Sequence, residues 1–105
     1  MNLKQMALEL GLEQDEFSEL LAIFIEASES DLVKIQEGIK DAETEQISDA
    51  AHSIKGASAN LGFMDISSDA KRIEQKAHDN NLDNLDDDID KIKERLVVIA
   101  KALAG

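Results

Sequence analysis

One of the two histidines in this chain, His52, has neighbours that suit reversible covalent transfer of a small anion. It lies in the segment AHSIKGASANLGF, residues 51–63. With about 100° between successive helical residues, its imidazole points roughly 160° away from the centre of an apolar stripe. That stripe comprises Ile47, Ala50, Ala51, Ile54, Ala57, Ser58 and Leu61. The spacing therefore predicts that His52 faces solvent.

The residues next to His52 favour phosphoryl transfer in particular. A neutral imidazole is a nucleophile that can carry a phosphoryl group, and its reference pKa of about 6.5 leaves a large neutral fraction near pH 7. Lys55, at i+3, can bring positive charge close to a group on the ring. Gly56, at i+4, costs about 1 kcal/mol relative to alanine inside a helix, and we interpret it as clearance for an approaching partner.

The motif HSIKGASANLG resembles the signature of histidine-containing phosphotransfer (HPt) domains. The matching positions are His52, Lys55, Gly56, Ser58 and Gly62. The preceding LLAIFIEASESDLVKI and the following IEQKA, with Ile73 and Glu74, resemble the flanking helices of the family. The resemblance implies a four-helix bundle that accepts a phosphoryl group from an aspartate of one response-regulator receiver domain and passes it to another. It also implies a hybrid sensor histidine kinase as a partner, and magnesium bound by the receiver domain.

We therefore assign His52 as the phosphoryl acceptor, Lys55 to charge stabilisation and Gly56 to steric access. Docking of the partner is expected to involve Ser48, Ala59 and Lys71. His78 lacks a neighbouring lysine and glycine, so we interpret it as a surface residue near a helix end. Glu45 and Asp49 share the outer face with His52, but one histidine and loosely spaced acids do not make a metal site. A helical module that only binds its partner, without transfer, is the alternative function.

Composition limits the remaining possibilities. The 105 residues predict one domain, 1–105. It has no glycine-rich nucleotide loop, so His52 needs an outside phosphoryl donor, and no kinase activity of its own is expected. No cysteine is present, and the longest apolar runs are too short to span a bilayer. We expect a cytoplasmic monomer with no cofactor, and the start at Met1 and the short ending at Gly105 favour a free-standing protein.

Charge also distinguishes the segment around His52 from the rest of the chain. The net charge of −12 argues against nucleic acid as a partner. Residues 50–78 carry four basic and three acidic side chains, which gives +1 against −13 elsewhere. This distribution predicts that acidic residues are kept away from His52 and that a partner with a carboxylate-rich active site can approach. A solvated surface that is balanced by coincidence explains the charge equally well.

Apolar periodicity predicts an all-α, antiparallel up-down four-helix bundle with a short N-terminal helix. The short helix contains Leu3 to Leu10 and stops at Gly11, and a long helix covers residues 13–41. Thr44, Asp65 and Asn84 are the predicted N-caps of the next three helices. Predicted core residues of the long helix are Phe17, Leu20, Leu21, Phe24, Ser28, Leu32, Ile35 and Ile39, widened by Ile23, Ile25 and Val33. The last two stripes are Ile66, Ala70, Ile73 and Ala77, then Leu85, Ile89, Ile92, Leu96, Ile99 and Leu103.

Overall fold

The computed structural model describes all 105 residues and contains five helices and no strand. The helices are α1 (Leu3–Glu9), α2 (Gln14–Asp41), α3 (Thr44–Asn60), α4 (Met64–His78) and α5 (Leu85–Ala104). Each long helix packs on the next one, and α5 returns to pack on α2. Connections of two to six residues between the long helices require neighbours to run in opposite directions. The predicted four-helix bundle with a short leading helix is confirmed, and none of its helices has the length and apolar character to cross a bilayer.

The core consists of one apolar stripe from each long helix. All four predicted residues of the α4 stripe are buried, and Leu103 is the one member of the α5 stripe that is only half-buried. On α3, Ile47, Ala51 and Ile54 are fully enclosed, whereas Ala57 is exposed and Leu61 half-buried. Ser58 is buried as the periodicity predicts, because its hydroxyl donates to the carbonyl of Ile54 at 2.6 Å and so needs no water.

Three apolar residues of α2 predicted to be in the core are exposed instead. Leu20, Ile23 and Val33 have relative accessibilities of 41%, 64% and 51%. The buried stripe of α2 consists of Phe17, Leu21, Phe24, Ser28, Leu32 and Ile35. Leu20 flanks this stripe, whereas Ile23 and Val33 lie about 140° from its centre, on the outer side of the helix. A 28-residue helix that is packed along a single stripe has room for apolar residues outside that stripe, and their type alone does not show which are covered.

Two of the predicted N-caps are wrong, Thr44 by one residue and Asp65 by two. Ala42 adopts a left-handed conformation (φ 54°) that closes α2, and the chain enters α3 at Thr44 with Glu43 in the cap position. Helix α4 begins at Met64 rather than after Asp65, with Phe63 in the cap position and its ring stacked on Phe24 at 5.7 Å between centroids. Asn84 does occupy the N-cap of α5, although its side chain makes no capping hydrogen bond.

A buried ionic cluster joins α4 to α5, which the sequence did not predict. Asp69 and Asp88 are 2% and 3% exposed. Asp69 accepts hydrogen bonds from Arg72 and from Arg95 Nε (2.9 Å). Asp88 accepts from Arg72 Nε at 3.3 Å and Lys76 Nζ at 2.8 Å, so it is an ion-pair partner as well as a first-turn acidic residue of α5. The guanidinium of Arg72 therefore connects both buried carboxylates and fixes how α4 lies on α5.

Candidate functional site

The predicted outward orientation of His52 is confirmed by the structure. Its side chain is 68% exposed, although Ala51 next to it is fully buried. The one-residue step of about 100° around α3 carries the chain from the core to the surface. His52 thus presents an imidazole on the outer face of the bundle while its backbone belongs to a helix packed on both sides.

A carboxylate from the neighbouring helix holds one nitrogen of the imidazole. Glu74 Oε2, on α4, lies 2.7 Å from His52 Nδ1. The other oxygen, Oε1, accepts a hydrogen bond from Lys55 Nζ at 2.5 Å. Glu74 is only 20% exposed and therefore bridges the histidine and the lysine from a largely enclosed position between α3 and α4.

The protonation of Glu74 determines which tautomer of His52 is present. Burial raises the pKa of the Glu74 carboxyl, but the hydrogen bonds and charges of Lys55 and His52 outweigh it and hold the pKa below its ordinary value. Near pH 7 the group is a carboxylate, which can only accept hydrogen bonds. The proton between Glu74 and His52 must then sit on Nδ1. In the neutral ring, Nε2 carries the lone pair.

Lys55 is partly enclosed, and both its side chain and its backbone carbonyl bond to residues of α4. Its side chain is 29% exposed, and its backbone carbonyl accepts from Ser58 Oγ and from Ser67 Oγ of α4, both at 3.1 Å. The bond from Ser67 ties α4 to α3 one turn beyond His52. Lys55 was predicted to serve a group attached to the ring, and in the structure its ammonium is bound to Glu74.

Gly56 lies beside His52 on the exposed side of α3 and faces open space. A Cβ atom built on Gly56 meets no atom within 4 Å. A close approach of a neighbouring helix therefore does not explain this glycine. Clearance above the imidazole remains the interpretation of Gly56 that the geometry permits.

The three predicted docking residues occupy different surroundings. Ser48, one turn before His52, is half-buried and lines an open polar cleft of about 580 Å³ with Glu74, Gln75, His78 and Asp79. Ala59 is exposed two turns after His52, and Lys71 is exposed on α4 one turn before Glu74. The structure thus places all three on α3 and α4, the two helices that hold His52 and Glu74, and their role in docking stays a prediction.

The prediction that acidic residues avoid His52 is wrong, because Glu74 contacts the ring directly. The sequence placed Glu74 in a flanking helix and gave it no role. A signal was available: His52 and Glu74 stand eleven residues before and after Phe63, at the turn between α3 and α4. In an antiparallel helix pair, positions at equal distances from the turn lie side by side.

Comparisons with known proteins agree with this geometry. The sequence matches the Hpt domain family over residues 19–102. It is 32% identical over 65 residues to the phosphorelay intermediate protein YPD1 of Candida albicans, an alignment that covers 62% of this chain and 35% of that protein. The chain thus spans about a third of the length of this curated relative.

A solved structure extends the agreement to the whole fold. Histidine-containing phosphotransfer protein B (HptB) from Pseudomonas aeruginosa PAO1 superposes with a TM-score of 0.83 at 21% identity. The superposition covers 99% of this chain and 90% of that one. At this level of identity the likeness establishes the fold, while the sequence match over most of the chain establishes the family. This chain belongs to the Hpt domain family.

Proposed function

We propose that this protein is a phosphocarrier in a two-component phosphorelay, in which His52 accepts a phosphoryl group from an aspartate of one receiver domain and donates it to another. The observation that carries the proposal is an imidazole that is 68% exposed and whose Nδ1 is held by a carboxylate, which leaves Nε2 as the ring nitrogen without a hydrogen bond. Membership of the Hpt domain family and the similarity to a phosphorelay intermediate support it.

The transfer step follows from the tautomer of His52. The Nε2 lone pair forms an N–P bond while the P–O bond to the aspartate breaks, and the electrons of that bond leave with the aspartate carboxylate. The Nδ1 proton stays on the ring, so the phosphorylated ring becomes positively charged. Glu74, 2.7 Å from Nδ1, stabilises that charge. The reverse step, with a second aspartate as nucleophile, regenerates the neutral imidazole.

The remaining parts of the proposal concern what the protein receives from others. The phosphoryl donor and the magnesium ion belong to the receiver domain, and the carrier has no kinase activity of its own. A hybrid sensor histidine kinase supplies the first receiver. Ser48, Ala59 and Lys71 contribute to docking around His52, and the open space at Gly56 admits the loops of the receiver. We place the protein in the cytoplasm, as a monomer that forms one domain.

The test is incubation with a receiver domain carrying labelled phosphate on its aspartate. We expect label on this protein that survives alkali and is lost in acid, as phosphohistidine is. His52→Gln should accept none, whereas the matched variant His78→Gln, which removes the other exposed histidine, should accept as much as wild type. Label that persists on His52→Gln would refute the assignment. Binding of the phosphorylated receiver without any transfer would favour a module that only binds.

A further inference from the structure

A shallow apolar groove runs between α2 and α5. Each long helix packs on the next and α5 packs on α2, so this groove lies on the side of the bundle opposite to the α3/α4 face that holds His52. Its volume is about 390 Å³, and the buried Leu32 and Leu96 form its floor. Val33 of α2 and Val97 of α5 line its two walls and are 51% and 50% exposed. Apolar side chains paired across an open groove indicate a contact surface rather than isolated surface residues.

Charged residues continue this pair of valines along both helices in a matched order. The exposed residues are Glu29, Val33 and Lys40 on α2, and Asp90, Val97 and Lys101 on α5. Spacings of four and seven place each set within about 40° around its helix, and the two spacings recur in reverse order on α5. Because the two helices are antiparallel, the valines lie level, and the acidic residue of each helix lies level with the lysine of the other. None of the four charged side chains has an ion-pair partner within the chain.

We propose that this α2/α5 face binds a second copy of the chain through a two-fold axis that runs along the groove. Such an axis sets α2 of one copy against α5 of the other and keeps every residue at its own height. The facing pairs are then Val33 with Val97, Glu29 with Lys101, and Lys40 with Asp90, and each pair occurs twice. His52 stays accessible in both copies, because α3 lies on the far side of each bundle.

The order of charges favours a second copy over an unrelated helix as the occupant. At each end of the groove the two walls carry unlike charges at the same height, so one foreign helix would need unlike charges on its two sides at that height. A second copy supplies this arrangement from its own sequence. No other part of the chain is required to move.

The size of the face predicts a weak and reversible association. The 20 residues of α5 and a bundle 17 to 21 Å across give a contact about 30 Å long that buries roughly 1,100 Å² in total. That area is at the lower end of specific interfaces, and the net charge of −12 on each copy opposes association. The monomer assigned to the carrier is therefore its form in dilute solution.

Sedimentation velocity at pH 7, from micromolar to millimolar protein, tests this inference. The wild-type chain should move towards twice its single-chain mass as the concentration rises. Val97→Glu buries an unpaired charge between the copies and should raise the dissociation constant at least about tenfold. Its matched control is Val98→Glu, at a valine that is 56% exposed but lies about 100° further around α5. Val98→Glu should associate as wild type does.

Charge reversal determines which helices face each other. Glu29→Lys and Lys101→Glu, each alone, place like charges opposite one another and should raise the dissociation constant by about threefold to tenfold. An equimolar mixture of the two variants should associate more tightly than either variant alone, because every like-charge contact is then replaced by an unlike one. Rescue in the mixture requires that α2 of one chain contacts α5 of another.

The results are independent of phosphoryl transfer. A wild-type chain that stays monomeric at millimolar concentration would leave the face to a foreign helix and overturn the second copy as its occupant. Equal effects of Val97→Glu and Val98→Glu, or a mixture no tighter than its components, would also overturn it. Val97→Glu at micromolar concentration should still accept label from a phosphorylated receiver, since His52 lies on the opposite face. Loss of that label as well would show that the two faces are not separate and would contradict the inference.

Discussion

Two helical glycines of this protein, Gly56 within α3 and Gly38 in the last turn of α2, should respond to alanine with opposite changes in stability. At Gly56 a new Cβ meets nothing within 4 Å, so only the helix preference acts, and the free energy of unfolding should rise by about 0.5–1 kcal/mol. At Gly38, on α2, the same atom would lie 2.7 Å from Ile47 Cγ1 and 3.2 Å from the carbonyl oxygen of Glu43. Overpacking of this kind costs about 1–3 kcal/mol.

The difference in stability between Gly38→Ala and Gly56→Ala isolates the cost of the close contact at position 38. Both gain the same helix preference, so that term cancels, and Gly38→Ala should be less stable than Gly56→Ala by about 1–3 kcal/mol. For a domain of this size each kcal/mol moves the melting temperature by about 4–8 °C. Urea unfolding and thermal melts followed by circular dichroism measure both. Gly56→Ala below wild type, or Gly38→Ala equal to Gly56→Ala, would refute this interpretation of the two sites.

The same open space at Gly56 allows a functional test without loss of stability. Gly56→Gln should fold as wild type does, because its side chain projects into solvent. Phosphoryl exchange with a cognate receiver should nevertheless slow, since the longer side chain occupies the approach to His52. A small donor such as acetyl phosphate, where it reacts, should be affected less. Exchange with the receiver at the wild-type rate would remove clearance as the reason for Gly56.

The remaining predictions concern stability. Ile54→Ala should lower the free energy of unfolding in urea by about 2–5 kcal/mol, while its exposed neighbour Ser53→Ala should not. Folding lowers the pKa of Glu74, so its carboxylate stabilises the fold above the unfolded pKa of about 4.3, and this stabilisation is lost as the pH falls through the folded pKa. Between pH 7 and pH 3, Glu74→Gln should therefore lose less stability than the wild-type protein loses. Arg72→Met, which leaves two buried carboxylates with one partner each, should cost about 1–3 kcal/mol in urea at pH 7, and Lys71→Met should cost nothing measurable.

Helix periodicity correctly predicted which residues are buried in those helices that pack along a single apolar stripe. The α4 and α5 stripes are confirmed, because their members recur at helical spacing on one face, whereas the apolar Val97 and Val98 of α5 lie outside the stripe and are exposed. On α2, Ile23 and Val33 are apolar and exposed, because they lie about 140° from the centre of the buried stripe; the prediction that they widen it followed their residue type rather than their angle. The predicted cap at Thr44 is off by one residue because Ala42, an alanine in a left-handed conformation, closes the turn.

The candidate site was predicted correctly along one helix, but the contact between two helices was missed. The angle of His52 on α3 required only the sequence of α3. The partner of its Nδ1 required the register between α3 and α4, which depends on the turn around Phe63 and on packing between the helices. Counting charges over residues 50–78 concealed this contact, since a sum of +1 is compatible with a carboxylate touching the ring.

Each polar residue of the site directly follows a buried apolar residue in the sequence. Ala51 precedes His52, Ile54 precedes Lys55 and Ile73 precedes Glu74, and all three apolar side chains are at most 1% exposed. Rotating α3 or α4 far enough to separate Glu74 from His52 would pull one of these side chains out of the core, at a cost of about 1.5–3 kcal/mol for a large aliphatic group. The two bonds of Glu74 are therefore held in place by core packing as well as by their own attraction. His52 can therefore be exposed and still keep its proton on Nδ1, because core packing opposes any rotation of α3 or α4 that would move Glu74 away from the ring.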